Sequence, residues 1–152
     1  MSTDHAPRLS LPTILPAAYA AMAELDRSAH EHLDARTIEL VKLRVSQVNG
    51  CAYCLDMHAG KLRDELGESQ QRLDVLAAWR EVPFFDERER AALALAESVT
   101  RLGEGGVPDE VWDAAVAVFD ERELACLLTA AIAINAWNRV AIPTRTAVAE
   151  SP

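Results

Sequence analysis

Apolar residues recur along this chain at intervals of three and four, the period of an amphipathic helix, and nowhere hold the strict alternation of a half-buried strand. Ala18, Ala21, Met22, Leu25 and Ala29 mark a helix over residues 16–32. Ile38, Val41, Val45 and Val48 mark a second over 35–49, with Asp34 as its N-cap and Lys42, Arg44 and Gln47 looking outward. Asn49-Gly50 stops it, because glycine takes the left-handed conformation without a Cβ penalty. A third helix over 51–65 packs Leu55, Leu62 and Leu66, leaves Lys61, Arg63 and Asp64 solvated, and ends at Gly67. Leu73, Leu76, Ala77 and Trp79 anchor a helix over 68–80 that Pro83 ends. Asp86 with Glu89, and Asp120 with Glu123, make capping boxes for helices over 87–102 and 121–141. Pro108 opens a further helix to about 119. The pattern predicts an all-α fold of six or seven helices in one domain over 12–152, behind a flexible N-terminal arm, residues 1–11, interrupted by Pro7 and Pro12.

The run from Leu124 to Ala136 is almost wholly apolar, so the last helix is expected to be buried in the core or in a subunit interface, with Pro143 breaking it. No apolar run approaches the ~18–20 residues that span a bilayer, and the first residues lack the apolar segment of a signal peptide, so the cytoplasm is the expected compartment and a membrane is not an expected partner. The 24 acidic against 15 basic residues give a net charge of −9, with no Lys/Arg cluster, which argues against nucleic acid. Three cysteines in a reducing compartment do not make a disulfide framework. Cys126, inside the apolar run, reads as a small buried hydrophobe. His30 and His32 point apart on a helix and suit its C-terminus rather than a metal, and no cofactor is expected. Trp137, Asn138 and Arg139 read first as packing and interface groups, with lining of a substrate pocket as the second reading. Gly103 to Gly106 lacks the residues of a phosphate loop.

The chemistry is concentrated between Glu39 and His58. From the turn at Asn49-Gly50, Cys51, Cys54 and His58 follow at i, i+3 and i+7, on one face of the third helix. A helix N-terminus favours thiolate over thiol, and Cys-x-x-Cys across one turn can bring two sulfurs within bonding range. His58 lies within reach of Cys54 as a proton acceptor or relay. Glu39 faces them if the second and third helices pack as an antiparallel pair. Three readings stay open on these residues: a redox-active dithiol, a metal site short of one ligand, and a non-catalytic redox switch.

Glu39, Cys51-Ala52-Tyr53-Cys54 and His58 at this spacing resemble the signature of the AhpD-like alkyl hydroperoxidases of the carboxymuconolactone decarboxylase family. The likeness covers roughly residues 20–100, and the segment from Asn135 to Arg139 is similar to one branch of the family. It implies an AhpD-like helical bundle, a homo-oligomer built as a trimer or hexamer, and a thiol-dependent peroxidase acting on hydroperoxides. By that resemblance Cys54 attacks the peroxide, Cys51 resolves the sulfenic acid as a disulfide, and Glu39 and His58 form the proton relay. A lipoylated or thioredoxin-type protein would restore the dithiol. Dipole logic alone favours Cys51 as the activated thiol; Cys54 is preferred because it has His58 one turn away. Tyr53 stands where the prototype peroxidase has a histidine, a departure that bears on rate and substrate rather than fold. The lactone-decarboxylating branch does not depend on this cysteine pair.

Overall fold

The structure, a computed structural model, describes residues 5–150. Among the described residues there are eight α-helices and no strand: α1 (Leu11–Ile14), α2 (Pro16–Ser28), α3 (Ala35–Asn49), α4 (Ala52–Gly60), α5 (Gln70–Val75), α6 (Glu87–Thr100), α7 (Asp109–Val118) and α8 (Glu121–Thr144). A π-turn over Lys61–Glu65 extends α4, and a 3-10 segment over Leu76–Glu81 extends α5.

The all-α expectation holds, and the differences are local. The count exceeds the expected six or seven by the single turn α1, which has a proline in its first turn and in which the hydroxyls of the N-cap Ser10 and of Thr13 meet at 2.8 Å. The helix expected over 68–80 changes to 3-10 geometry at Leu76, and the chain is extended at Val82, as a residue before proline prefers. Pro143 does not break the last helix: α8 runs on to Thr144 and closes at Arg145, which takes the left-handed conformation (φ 54°). A proline so near a C-terminus removes one donor with few turns left to disrupt. Residues 1–4 of the expected arm lie outside the described residues. From His5 to Ser10 the chain is exposed and non-helical, and the Arg8 N–H donates to the Thr144 carbonyl at 2.9 Å.

Helix α3 is the centre of the bundle. Its start is fixed by the Asp34 carboxylate, which accepts from the Thr37 N–H at 2.9 Å and from its hydroxyl at 2.7 Å. Its end is fixed by Gly50 at φ 71°, whose N–H returns to the Ser46 carbonyl at 2.9 Å. Ile38, Val41 and Val45 join Leu95 of α6 and Leu127 and Ile134 of α8 in one apolar cluster. Leu40 and Leu43 join Leu62, Leu76, Trp79 and Leu93 in another. Every residue from Thr37 to Ser46 is therefore buried. That overturns the outward placement of Lys42 and Arg44. Both sit inside, and both are paired: Lys42 Nζ lies 2.7 Å from Asp26 Oδ1 of α2, and Arg44 Nε lies 2.7 Å from Glu97 Oε1 of α6. Burial of such groups is tolerable only with partners.

Helix α8 is, among the described residues, the one helix long and apolar enough to cross a bilayer, a property the sequence reading assigned to no run. Here it lies along α2, α3 and α6, and it buries Leu124, Leu127, Ala130, Ala131 and Ile134 against them. Cys126 is buried and free, as expected of a small apolar side chain. Leu127, with no exposed surface, is a point at which the centre of the bundle can be tested. Leu127→Ala is expected to lower unfolding free energy by about 2–5 kcal/mol in urea titration. A loss below about 0.5 kcal/mol would mean that the site is not closely packed.

Candidate functional site

Helices α3 and α4 pack against each other on either side of the Gly50 turn. An amide network pins that turn to α8: Asn49 Nδ2 donates to Asn135 Oδ1 and to Asn138 Oδ1, each at 2.9 Å, and Asn138 Nδ2 donates to Ser46 Oγ at 3.2 Å. Cys51 is the N-cap of α4 rather than its first helical residue, and its Sγ accepts the Cys54 N–H at 3.3 Å. Cys51 and Cys54 are joined as a disulfide, with Cα atoms 5.3 Å apart, within the ordinary range for such a bond. The helix N-terminus thus directs an N–H at Cys51, while Cys54 sits one turn before His58.

The structure brings Glu39 and His58 together: Nδ1 of His58 lies 2.6 Å from Glu39 Oε2. Both are buried, Glu39 with no exposed surface at all. Burial by itself would push the Glu39 carboxyl up. The hydrogen bond and charge of His58, the hydrogen bond from Lys61 and the charge of Lys42 outweigh it and hold the pKa at about 2. An ionised carboxylate against Nδ1 makes that nitrogen the donor, so in the neutral ring the lone pair is on Nε2. Among the described residues Nε2 is buried and has no hydrogen-bond partner.

Two cations that sequence reading placed in solvent belong to this site. Lys61, at the start of the π-turn, donates to Glu39 Oε1 at 2.8 Å. The Lys42 ammonium is 3.9 Å from the same oxygen and 3.4 Å from His30 Nε2, besides its bond to Asp26. The His30 imidazole is held below its ordinary pKa, first by burial and then by the charge of Lys42. The only sequence signal for Lys42 was its position one turn after Glu39, a spacing shared by countless solvated pairs.

Cys54 and His58 line a cavity of about 470 Å³. Its other walls are largely apolar and include Tyr19, Tyr53, Met57, Trp137 and Val140, with Leu9 and Leu11 closing one side. Tyr19 and Trp137 meet edge to face, ring centres 5.0 Å apart, which stiffens the wall opposite α4. Trp137 lies on this wall, which is the second of the two readings its segment allowed. Asn138 is wholly buried in the amide network, and Arg139 donates to Asn135 Oδ1 at 2.7 Å. Cys51 does not line the cavity.

The chain matches the sequence model of the carboxymuconolactone decarboxylase family over residues 15–98. It is 38% identical over 136 residues to the uncharacterized protein YdfG of Bacillus subtilis, covering 89% of this chain and 92% of that protein. Among solved structures it is similar to a protein of unknown function from Agrobacterium tumefaciens described as a candidate antioxidant defence protein AhpD. That likeness has a TM-score of 0.91 and 35% identity, over 96% of this chain and 100% of the other. It is also similar to an uncharacterized peroxidase-related protein from Silicibacter, with a TM-score of 0.71 and 27% identity, over 84% of this chain and 66% of that one.

The ionised Glu39 has a consequence for acid stability. A carboxyl whose pKa falls on folding from 4.5 to about 2 adds stability that is fully present above about pH 4.5. That stability is lost as pH falls towards 2. Between these limits the dependence of unfolding free energy on pH is expected to be shallower in Glu39→Gln than in the wild type, by up to one proton's slope. Parallel curves in urea unfolding would show that Glu39 is not held ionised.

Proposed function

The chain belongs to the carboxymuconolactone decarboxylase family, and on that premise we propose that it is a thiol-dependent hydroperoxidase of the AhpD kind, cycling Cys51 and Cys54 between dithiol and disulfide. The observation that carries this reading is the direction of His58. Its Nδ1 is held by Glu39, and its Nε2, unbonded, belongs to the residue that shares the cavity wall with Cys54.

In the reduced protein His58 Nε2 takes the proton of the Cys54 thiol, and Glu39 stabilises the imidazolium. The Cys54 thiolate attacks the terminal oxygen of a hydroperoxide, and the O–O bond breaks. The departing alkoxide takes the proton from His58 and leaves as an alcohol, while Cys54 becomes a sulfenic acid. The Cys51 thiolate then attacks the Cys54 sulfur and displaces hydroxide, which is protonated to water. The product is the Cys51–Cys54 disulfide, the form this structure holds. A dithiol donor, a lipoylated or thioredoxin-type protein, returns two electrons and two protons. Attack on Cys54, the sulfur facing the cavity, would release Cys51 as thiolate. The N–H directed at Cys51 favours it as the leaving group.

The cavity supports an organic substrate. It is larger than hydrogen peroxide requires, its walls are mostly apolar, and among the described residues no lysine or arginine lines it. The exposed Trp112, Val116 and Ile132 fit the assembly into a homo-oligomer, trimer or hexamer, that the same reading includes.

With dihydrolipoamide as donor, the wild type is expected to consume cumene hydroperoxide with kcat/KM about tenfold or more above that for hydrogen peroxide, the scale of burying a further apolar group. Cys54→Ser should fall to the uncatalysed rate, and Glu39→Gln should lose about 10²–10⁴-fold. Wild-type turnover no better than that of Cys54→Ser would remove the proposal. A disulfide that forms and is reduced again without turnover would identify a redox switch instead.

A further inference from the structure

Lys42 is a lysine with 3% of its side chain exposed, set among charged groups, and no step above uses it. Its ammonium has three groups around it: Asp26 Oδ1 of α2 at 2.7 Å, His30 Nε2 in the turn after α2 at 3.4 Å, and Glu39 Oε1 of α3 at 3.9 Å. Asp26 lines the cavity that holds Cys54 and His58. We propose that Lys42 is a positioning residue of the catalytic site, a buried ammonium that bridges the cavity-wall carboxylate of Asp26 to Glu39 and thereby keeps His58 Nε2 a free proton acceptor.

Charge balance decides this, because Glu39 and Lys42 are shut away from solvent, while Asp26, 28% exposed, and Lys61 are only partly so. With Asp26 and Glu39 ionised, Lys42 and Lys61 charged, and His58 and His30 neutral, the group sums to zero. Two carboxylates could not both stay ionised there without compensation. Lys61 does part of this, but 37% of its side chain is exposed, so water screens it; Lys42 is not screened. Without the Lys42 charge the group is left with one net negative charge and can restore neutrality by taking up a proton. His58, already bonded to Glu39, is the group placed to hold it. With that proton it is an imidazolium, with a hydrogen on Nε2 and no lone pair for the Cys54 thiol. A stability role alone does not call for a lysine here, because an apolar side chain of similar volume usually serves as well as a buried ion pair.

This inference rests on the reading of His58 as the base for Cys54, and it is tested by a measurement that does not need turnover. His58 is bonded to Glu39 of α3, on which Lys61 of the π-turn and Lys42 also converge with His30 beside Lys42, and it shares the cavity wall with the titratable Tyr19, Asp26, Tyr53 and Cys54. The imidazole nitrogens of the reduced, full-length protein, labelled with 15N, are followed by NMR across the pH range in which the fold is intact. In Lys42→Met the pH at which His58 takes its second proton is expected to rise by about one unit or more, and in Asp26→Asn, a milder change, to fall. In the double variant Lys42→Met with Asp26→Asn, where the charges again sum to zero, it should return towards the wild-type value. The rate of Cys54 alkylation by iodoacetamide should follow the same order against pH. His58 midpoints unchanged in Asp26→Asn and Lys42→Met, or a double variant no closer to wild type than Lys42→Met, would overturn the role of Lys42. Should Lys42→Met fail to fold, an unchanged midpoint in Asp26→Asn alone would overturn it. Absence of peroxide turnover in the wild type bears on the peroxidase reading, and the shifts in His58 stand or fall without it.

Discussion

A carboxylate shut away from water has to find its hydrogen bonds and its countercharge inside the protein, and Glu39 does so on a helix enclosed by apolar residues on both sides. The two clusters that grip α3 leave no outward face between Thr37 and Ser46, so each charged side chain in that span requires a partner from another element. Arg44 finds Glu97, which also accepts from Trp79 Nε1 at 2.9 Å and from Arg80 at 2.7 Å, a structural pairing away from the cavity. Glu39 finds His58 and Lys61, and Lys42 finds Asp26. The second set differs from the first in that it opens, through His58 and Asp26, onto a cavity wall that also carries a cysteine.

The rest of the molecule serves to hold that contact. The left-handed Gly50 sends α4 back along α3 and sets Cys51 at a helix N-terminus, while the asparagines of α8 fix the turn from below. Each cysteine has a different environment as a result. Cys51 accepts an N–H and is turned from the cavity; Cys54 lies in it. A pair of chemically identical side chains is thereby given unlike surroundings, which is what the proposed division into an attacking and a resolving thiol calls for.

Much of this was legible in the sequence, and what was missed has two causes. The helix boundaries follow from capping residues and glycine, whose effects are local, and the four residues from Glu39 to His58 were found because their spacing on two consecutive helices is itself a geometric statement. Lys42 and Lys61 were placed in solvent because hydrophobic periodicity assigns a charge to the outer face. That rule fails on a helix buried all round, and nothing in the spacing of α3 distinguishes Lys42 from a solvated lysine. Asp26 was out of reach, and Trp137 no more than a second reading, for another reason: they come to the cavity from α2 and α8, and only tertiary packing tells which face of each helix lines it. The continuation of α8 through Pro143 depends likewise on how near a helix is to its end.

The central claim, that Cys54 is the sulfur presented to peroxide and activated by the Glu39–His58 pair, is tested most directly by trapping its first product. Reduced Cys51→Ser protein, given one equivalent of cumene hydroperoxide in the presence of dimedone and mapped by peptide mass spectrometry, should carry the adduct on Cys54, and adding Glu39→Gln should slow its formation. Adduct on Cys126, or none on Cys54 while the peroxide is consumed, would contradict the account.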